Sequence, residues 1–554
     1  MKKIKIIYIL IATLILTWFV FLALTPIISR DALIVHMAFP KVWMRENFFF
    51  YQDYNLSTVS MMNLDYIYML LLKFFHWDQL PKIFHASLLI GSGVIMFTFL
   101  KKRFGLNTAF IFSVIFVLIP INQRLASEAY VDLGVLFFST ISIIYFIKWI
   151  DSDLNSGKYF FILAVSSGLS LGTKYSSVIL LVVMTLMIGS IYAKNKKKDL
   201  KALNHMALYG IIILIVISPW LIRNYAAVGN PFYPLLNSVF KPDVIKFDSN
   251  LNIPPNEFAT RKLFGESPVS IILIPFRMFF SGSDSDLIGG FDGVLNPMLL
   301  LMFIPLLFPK FRSKSKDRSI IAYLSIVFLI TYIFFLIHGH LRIRYFIYSL
   351  PLLIILNAYT FDIFKNLLSA KKLRSGSIIL SMIVILFMFF NLKYSLQLFN
   401  KLDTYNYLSG NESKDEYLSR TLSEYNVAKK INERAPEDAV IYEVLCGHRT
   451  YHIDRTVVFD DYFLDRYFYN MIDTEATDSV YLDHLSHLPF KDHKKAGLLM
   501  IKPHGFANVY KQIFSEQSDS LTQVKIDRFI TFLNGQTLLF DSNGTFIYKL
   551  NNDN

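Results

Sequence analysis

Long apolar runs, broken at alternate gaps by clusters of lysine and arginine, constrain the fold of this chain more than any other feature. Ile11 to Leu24, Leu88 to Leu100, Phe110 to Pro120 and Val178 to Tyr192 are such runs. With their flanks, several reach or approach the roughly 20 residues that a helix needs to cross about 30 Å of hydrocarbon. A chain that is 54% hydrophobic with 52 Phe, its apolar residues gathered in this way, is a polytopic α-helical membrane protein.

The basic gaps are Lys2-Lys3 with Lys5, Lys101-Lys102-Arg103, Lys148 to Lys158, Lys194 to Lys201, Lys310 to Arg318, and Lys371-Lys372 with Arg374. If these all face the cytoplasm, the positive-inside rule is satisfied throughout. The outer gaps are then Ser29 to Leu80, Asn122 to Val131, Gly172 to Ser177, Arg223 to Gly293 and His338 to Tyr345. This alternation gives about eleven transmembrane helices. Their cores are Ile4–Leu24, Ile83–Leu100, Asn107–Ile121, Leu133–Ile150, Tyr159–Thr173, Ser177–Ala193, Met206–Leu221, Leu295–Phe308, Ser319–Ile337, Phe346–Phe364 and Ser377–Leu392. The first segment follows Lys2-Lys3 as a signal peptide would, but it has no small-x-small cleavage site and runs into Pro26. It reads as a retained helix.

The formal net charge of +13 is unevenly spread. From Lys393 onward there are 18 Lys and Arg against 23 Asp and Glu, a balance of −5 that leaves +18 for the rest. The basic surplus therefore belongs to the membrane half and reports topology. No basic-aromatic patch suggests nucleic-acid binding. Residues 393–554 read as a soluble extracytoplasmic α/β domain following a membrane domain of residues 1–392. Strand-like runs there are Ala439–Tyr442, Gly497–Ile501, Thr537–Phe540 and Thr545–Tyr548, and a helical stretch is Ser419–Arg434. Asp541-Ser542-Asn543-Gly544 is a hairpin turn signal. Cys446 is the only cysteine, which excludes an internal disulfide and a CxxC site. In the first outer gap, Ala32 to Asn47 has helical spacing, and Pro40 splits it into two short interfacial helices; Met61 to Phe75 suggests another.

Ionisable residues at a membrane face are functional candidates, and the outer gaps concentrate them. They are Asp31 and His36; Glu128 and Asp132; Lys174; Arg223 with Asn224; and His338, His340, Arg342 and Arg344. Such a set suits glycosyl transfer from a polyprenyl-phosphate sugar. Arg and Lys neutralise the phosphate leaving group, and a carboxylate takes the proton of an acceptor hydroxyl. Acidic residues with a histidine could hold a divalent ion beside the phosphate. Each residue also has a structural reading. Asp31 could cap a helix starting at Ala32, Glu128 and Asp132 could be one solvated helix face, and Lys174 could snorkel from a helix end.

The stretches Arg30-Asp31-Ala32-Leu33-Ile34-Val35-His36, Glu128-Ala129-Tyr130-Val131-Asp132, Gly172-Thr173-Lys174-Tyr175, Pro219-Trp220-Leu221-Ile222-Arg223-Asn224, Gly229-Asn230-Pro231-Phe232-Tyr233-Pro234 and Arg344-Tyr345-Phe346, in this order, resemble the GT-C superfamily of integral-membrane glycosyltransferases. More narrowly they resemble the phospholipid-carrier-dependent branch: protein O-mannosyltransferases, aminoarabinose transferases and rhizobial galacturonosyl transferases. The resemblance spans Lys2 to about Leu392. It implies Asp31 as general base, with Glu128 and Asp132 as further catalytic or metal-holding acids. Lys174, Arg223, Asn224, Arg342, Arg344 and Tyr345 are implied to bind carrier phosphate or sugar, and Glu128, His338 and His340 to hold any divalent metal ion. The donor is expected to be a polyprenyl-phosphate sugar, the acceptor a glycan, lipid or protein, and the location the cytoplasmic (inner) membrane. Many relatives carry Asp-Glu where this chain has Asp31-Ala32, so a second carboxylate must come from Glu128 or Asp132. A transporter or flippase is the competing class, but it would favour internal repeats and polar residues at mid-bilayer, and none is evident. A noncatalytic assembly subunit is the third.

Overall fold

The computed structural model describes residues 2–45, 60–194, 199–241, 257–263, 265–285, 288–338, 340–370, 374–459, 497–502 and 519–550. The first ten α-helices are α1 (Lys2–Leu24), α2 (Ala38–Arg45), α3 (Asn63–Phe75), α4 (Leu80–Phe104), α5 (Leu106–Val117), α6 (Pro120–Ala126), α7 (Asp132–Asp151), α8 (Gly157–Thr173), α9 (Val178–Lys194) and α10 (Asp199–Val228). Long helices Arg318–His338, Leu350–Ala370 and Arg374–Lys401 follow.

Among the described residues eight helices are long and apolar enough to cross a membrane, nine if one bent pair is counted. The expected eleven segments are all helical over most of their length, but three fall short of a straight span. Asn107–Ile121 falls on α5 and α6, which meet at 60°. Pro120 causes the break, because the residue before a proline is driven out of the helical region, and Ile119 is extended at φ −55°, ψ 131°. The side-chain amides of Asn122 and Gln123 donate to the freed carbonyls of Phe116 and Leu118, each at 2.8 Å. Tyr159–Thr173 lies in the 17-residue α8. Leu295–Phe308 is divided between Pro297–Phe303 and a 3₁₀ turn, Ile304–Leu307.

The segment Ile343–Ser369 is 94% buried and forms the centre of the bundle, whereas α1, 17% buried, lies at its edge. Helices α7 and α8 are joined by hydroxyl pairs, Ser139 with Ser170 at 3.1 Å and Ser142 with Ser167 at 2.7 Å, and Tyr209 of α10 donates to Ser167 at 2.7 Å. Such bonds hold helices together where the surrounding lipid is as apolar as the side chains.

The first outer gap departs from expectation in one detail. Its break falls at Met37, not at Pro40. Ala32–His36 forms one wide π turn, closed by the Met37 N–H on the Ala32 carbonyl at 2.8 Å. Pro40 sits in the first turn of α2, where a missing N–H has no intrahelical partner to lose. The expected Met61–Phe75 helix is α3.

Among the described residues of the tail, five strands form one sheet in the order β2-β1-β3-β5-β4: β1 (Val440–Val444), β2 (Thr456–Val458), β3 (Leu498–Ile501), β4 (Thr537–Ser542) and β5 (Thr545–Lys549). The first three are parallel and the last two close an antiparallel hairpin. Its two-residue loop has positive φ at both Asn543 and Gly544, 51° and 73°, the conformation that Asn-Gly hairpins favour. The Ser423–Arg434 helix packs Val427, Ala428 and Ile431 against Ile441, Met500 and Ile547. The tail rests on the π turn and α2. The Tyr451 N–H donates to the Leu33 carbonyl at 3.2 Å. The Lys41 ammonium donates to the Tyr451 and Ile453 carbonyls at 2.7 and 3.2 Å and meets Asp454 at 2.7 Å.

Candidate functional site

The charged residues of the outer gaps gather at one end of the bundle. Asp31 opens the π turn but does not cap it: its side chain makes no bond to the turn's N–H groups. It is turned instead to the Arg344 guanidinium, 313 residues away, which donates to Oδ2 through Nη1. Burial alone would raise the Asp31 carboxyl. The charge and hydrogen bond of Arg344, aided by His36 and Lys174, reverse this and hold the group well below its ordinary value. Asp31 is therefore ionised.

Arg344 is the hub. It stands in the 3₁₀ segment Ile343–Ser349 that leads into the central helix, and its side chain is only 2% exposed. Its Nε lies 2.7 Å from Asp292 Oδ2. Asp292 also meets Arg124 Nη1 at 2.9 Å and, more loosely, Arg342 Nη1 at 3.9 Å. Arg124 reaches Asp284 at 3.5 Å and Glu128 at 3.8 Å, and Tyr394 donates to Asp284 at 2.6 Å. The bend at Pro120 makes this possible by turning α6 so that Arg124 faces inward.

Glu128 and Asp132 do not share a helix face. Glu128 lies in the loop after α6, while Asp132 begins α7, where an acid offsets the positive helix end. Asp132 Oδ1 meets Lys174 Nζ at 2.8 Å, at the antiparallel end of α8. Lys174 in turn lies 4.8 Å from the centre of the Tyr345 ring, whose other cationic neighbour is Arg344 at 5.0 Å. Burial pushes the Glu128 carboxyl up to about 7; Arg124 and Arg344 oppose the rise, and Asp292 and Asp284 add to it. His36 is buried and bonded to Asp65 at 2.7 Å.

Arg223 and Asn224, at the end of α10, form a neighbouring group. The Arg223 guanidinium lies 5.9 Å from the Trp43 ring and 5.7 Å from the Trp220 ring, within the field of Asp65. Asn224 donates to the Pro231 carbonyl at 3.5 Å and so supports the turn after Gly229. That turn needs Gly229 at φ +71°, where its N–H closes α10 on the Tyr225 carbonyl at 2.8 Å.

Of the residues named for a metal, the two whose side chains the structure describes face other partners. Glu128 is held by Arg124. His340 is 79% exposed and faces Glu257 at 3.7 Å. The His338 side chain lies outside the described residues. Among the described residues no three His, Cys, Asp or Glu side chains form a metal-holding group. Cations of the protein itself occupy the spaces between the carboxylates.

Asp292, Asp284 and Arg124 were not singled out from sequence, yet they complete the network. Phe291 and Asp292 both adopt left-handed φ, 63° and 44°, in the turn that runs from Gly290 to Gly293. Backbone in this region costs about 1–3 kcal/mol per residue and persists where its surroundings impose it. Here Asp292 N–H donates to Ser285 at 3.1 Å, and Ile343 N–H to Phe291 at 2.8 Å, which ties the turn to the Arg344 segment. An acid enclosed by glycines in an outer gap was the available signal.

Residues 80–230 match the model of the dolichyl-phosphate-mannose-protein mannosyltransferase family. This stretch holds Arg124, Glu128, Asp132, Lys174, Arg223 and Asn224, while Asp31 and Arg344 lie outside it. The fold is that of several solved membrane transferases. ArnT from Cupriavidus metallidurans, in a structure bound to undecaprenyl phosphate, is 10% identical, with a TM-score of 0.57 over 100% of this chain and 98% of that one. The oligosaccharyltransferase of Archaeoglobus fulgidus, in its apo form, is 12% identical, with a TM-score of 0.55 over 98% of this chain and 74% of that one. The same organism's AglB, in complex with an inhibitory peptide and a dolichol-phosphate, is 12% identical, with a TM-score of 0.52 over 99% and 74%. No curated protein matches the sequence at a significant level.

Proposed function

We propose that this multi-pass membrane protein is a glycosyltransferase of the GT-C superfamily, and that Asp31 and Arg344 work as an exchangeable pair in moving a sugar from a polyprenyl phosphate to an acceptor hydroxyl. The bond between Asp31 and Arg344 carries this reading. A guanidinium so placed can bind either a carboxylate or a phosphate in its planar fork. In the resting protein it holds Asp31 ionised but weakly basic. When the carrier phosphate takes up part of the Arg344 charge, the Asp31 carboxylate loses its main stabilising partner and its proton affinity rises. The base is thus strengthened when the donor is in place.

In the step itself the acceptor oxygen attacks the anomeric carbon, and the bond from that carbon to the phosphate oxygen breaks. The electron pair leaves with the phosphate, and the acceptor's proton passes to Asp31. Arg344, Arg342 and Lys174 surround the developing phosphate charge. The displacement inverts the anomeric centre. Lipid phosphate ligands in the ArnT and AglB structures support the carrier class. The charge alternation supports a site at the outer face of the cytoplasmic membrane, with the tail extracytoplasmic and beside the acceptor route. No step is assigned to a metal ion.

Mass spectrometry of surface glycans, envelope lipids and glycoproteins tests this in cells with the protein, without it, and with Asp31→Asn. The expected result is a product one sugar heavier that is absent from both the deletion and the Asp31→Asn strain, with the variant protein inserted at normal amounts. Full product with Asp31→Asn would remove the base assignment.

A further inference from the structure

We infer that the cavity between the far ends of α4 and α7, at the end of the bundle opposite Asp31, is a binding site for a phosphate group. This inference is independent of the proposed function. Helix α4 carries His85 near the Asp31 end, where its Nε2 accepts from the Leu133 N–H at 2.9 Å, and Lys102 and Arg103 in its last turn. Helix α7 starts at Asp132 and ends with Lys148 and Asp151. The second cluster is thus a helix length, about 27 Å over 18 residues, from the first.

The cavity measures about 410 Å³, and Lys102, Arg103, Lys148, Asp151, Lys316 and Asp317 line it. Arg103 forms the wall. Its guanidinium is fixed by Asp151 at 2.7 Å and Asp317 at 2.9 Å, and lies 5.7 Å from the centre of the Tyr359 ring. Both carboxylates of the cavity are engaged by this one arginine. None of the three lysines makes an ion pair among the described residues. Lys102 and Lys148 are near enough for their charges to repel, and Lys148 lies 4.2 Å from the centre of the Tyr145 ring. Asp362 lies in the field of Lys316 but is matched by Lys365.

Four cations therefore face two anions. The negative ends of α4 and α7 contribute roughly −0.5 each and the start of Arg318–His338 roughly +0.5, so a surplus of about +1.5 remains. Three flexible ammonium groups around a rigid guanidinium suit an oxyanion carrying one to two charges. The cavity opens where helices leave the hydrocarbon layer, within reach of an anionic headgroup; a soluble phosphate offers the same chemistry.

Native mass spectrometry and thermal unfolding of the purified full chain separate the sources. One arm adds phosphatidylglycerol or phosphatidylcholine, and the other adds inorganic phosphate. Each is run on wild type, on Lys102→Gln/Lys148→Gln, and on Lys158→Gln/Lys310→Gln, which removes the same charge from other basic gaps. A lipid site gives preferential retention of phosphatidylglycerol that falls about tenfold or more in the first variant alone. A soluble-phosphate site gives an unfolding temperature raised by inorganic phosphate in wild type and the second variant alone. Equal behaviour of all three proteins in both arms, or equal losses in the two variants, would overturn the site.

Discussion

The two ends of the bundle use one device in opposite ways. At each, an arginine is clasped by two aspartates: Arg344 by Asp31 and Asp292, Arg103 by Asp151 and Asp317. Arg344 is 2% exposed and its two partners 18% and 10%, whereas Asp151 is 41% exposed. Around Arg344 the basic side chains Arg124, Lys174 and Arg342 all face carboxylates as well. Counting Arg344, four cations meet Asp31, Glu128, Asp132, Asp284 and Asp292. Among the described residues this set reaches balance when Glu128 holds a proton, and burial brings its carboxyl to about 7. On the proposed reading, a phosphate arriving there exchanges for a carboxylate, as turnover of the donor requires. At the Arg103 end the lysines remain available, which suits retention of a ligand and not its turnover.

The comparison breaks first on stability. Arg344→Ala leaves Asp31 without its ion-pair partner and Asp292 with Arg124 as its remaining close one, and about 3–5 kcal/mol should be lost. A fall in unfolding temperature close to that of Arg103→Ala would mean that the two arginines are equivalent. Arg344→Lys keeps the charge but not the fork that spans Asp31 and Asp292. It should fold, while kcat falls by about 10²-fold or more; near-normal turnover would show that a point charge suffices. Glu128→Gln sharpens the electrostatic half. The carboxyl is neutral below about 7 and negative above it, so donor affinity should weaken as pH rises through 7 in the wild type. The donor's phosphodiester keeps its single charge across this range, so the change belongs to the protein. In Glu128→Gln the affinity should stay at the acid-side level, with a difference of about fivefold or more at pH 8.5. An identical pH profile in both proteins would acquit Glu128. The smallest effect is expected from Arg103→Ala, about 2 kcal/mol or less, because its ion pair with Asp151 is partly solvated and screened and only Asp317, 16% exposed, is left poorly solvated.

Much of the scaffold was legible. Run length and charge alternation located each long helix, and the tail's strands were visible as β-rich runs with an Asn-Gly turn. Among the described strands only β2, three residues long, had no readable signal. The bend at Pro120 was legible in principle, since proline acts on its neighbour. Its consequence was not, because nothing local says that Arg124 will be turned inward.

The candidate site divides along the same line. Sequence by itself determined which residues stand at the bundle's Asp31 end, because hydrophobic length and helix rise dictate where each helix stops, whatever its neighbours. Asp31, Glu128, Asp132, Lys174 and Arg344 follow from that. Tertiary structure alone decided the partners. Asp31 pairs with Arg344 and not with a helix N-terminus, His340 turns away to Glu257, and Asp292 enters through a left-handed turn. These choices depend on where separate helices are placed around a shared centre. They also depend on the cost of burying a charge without an opposite one, which compels the pairing but does not name the partner.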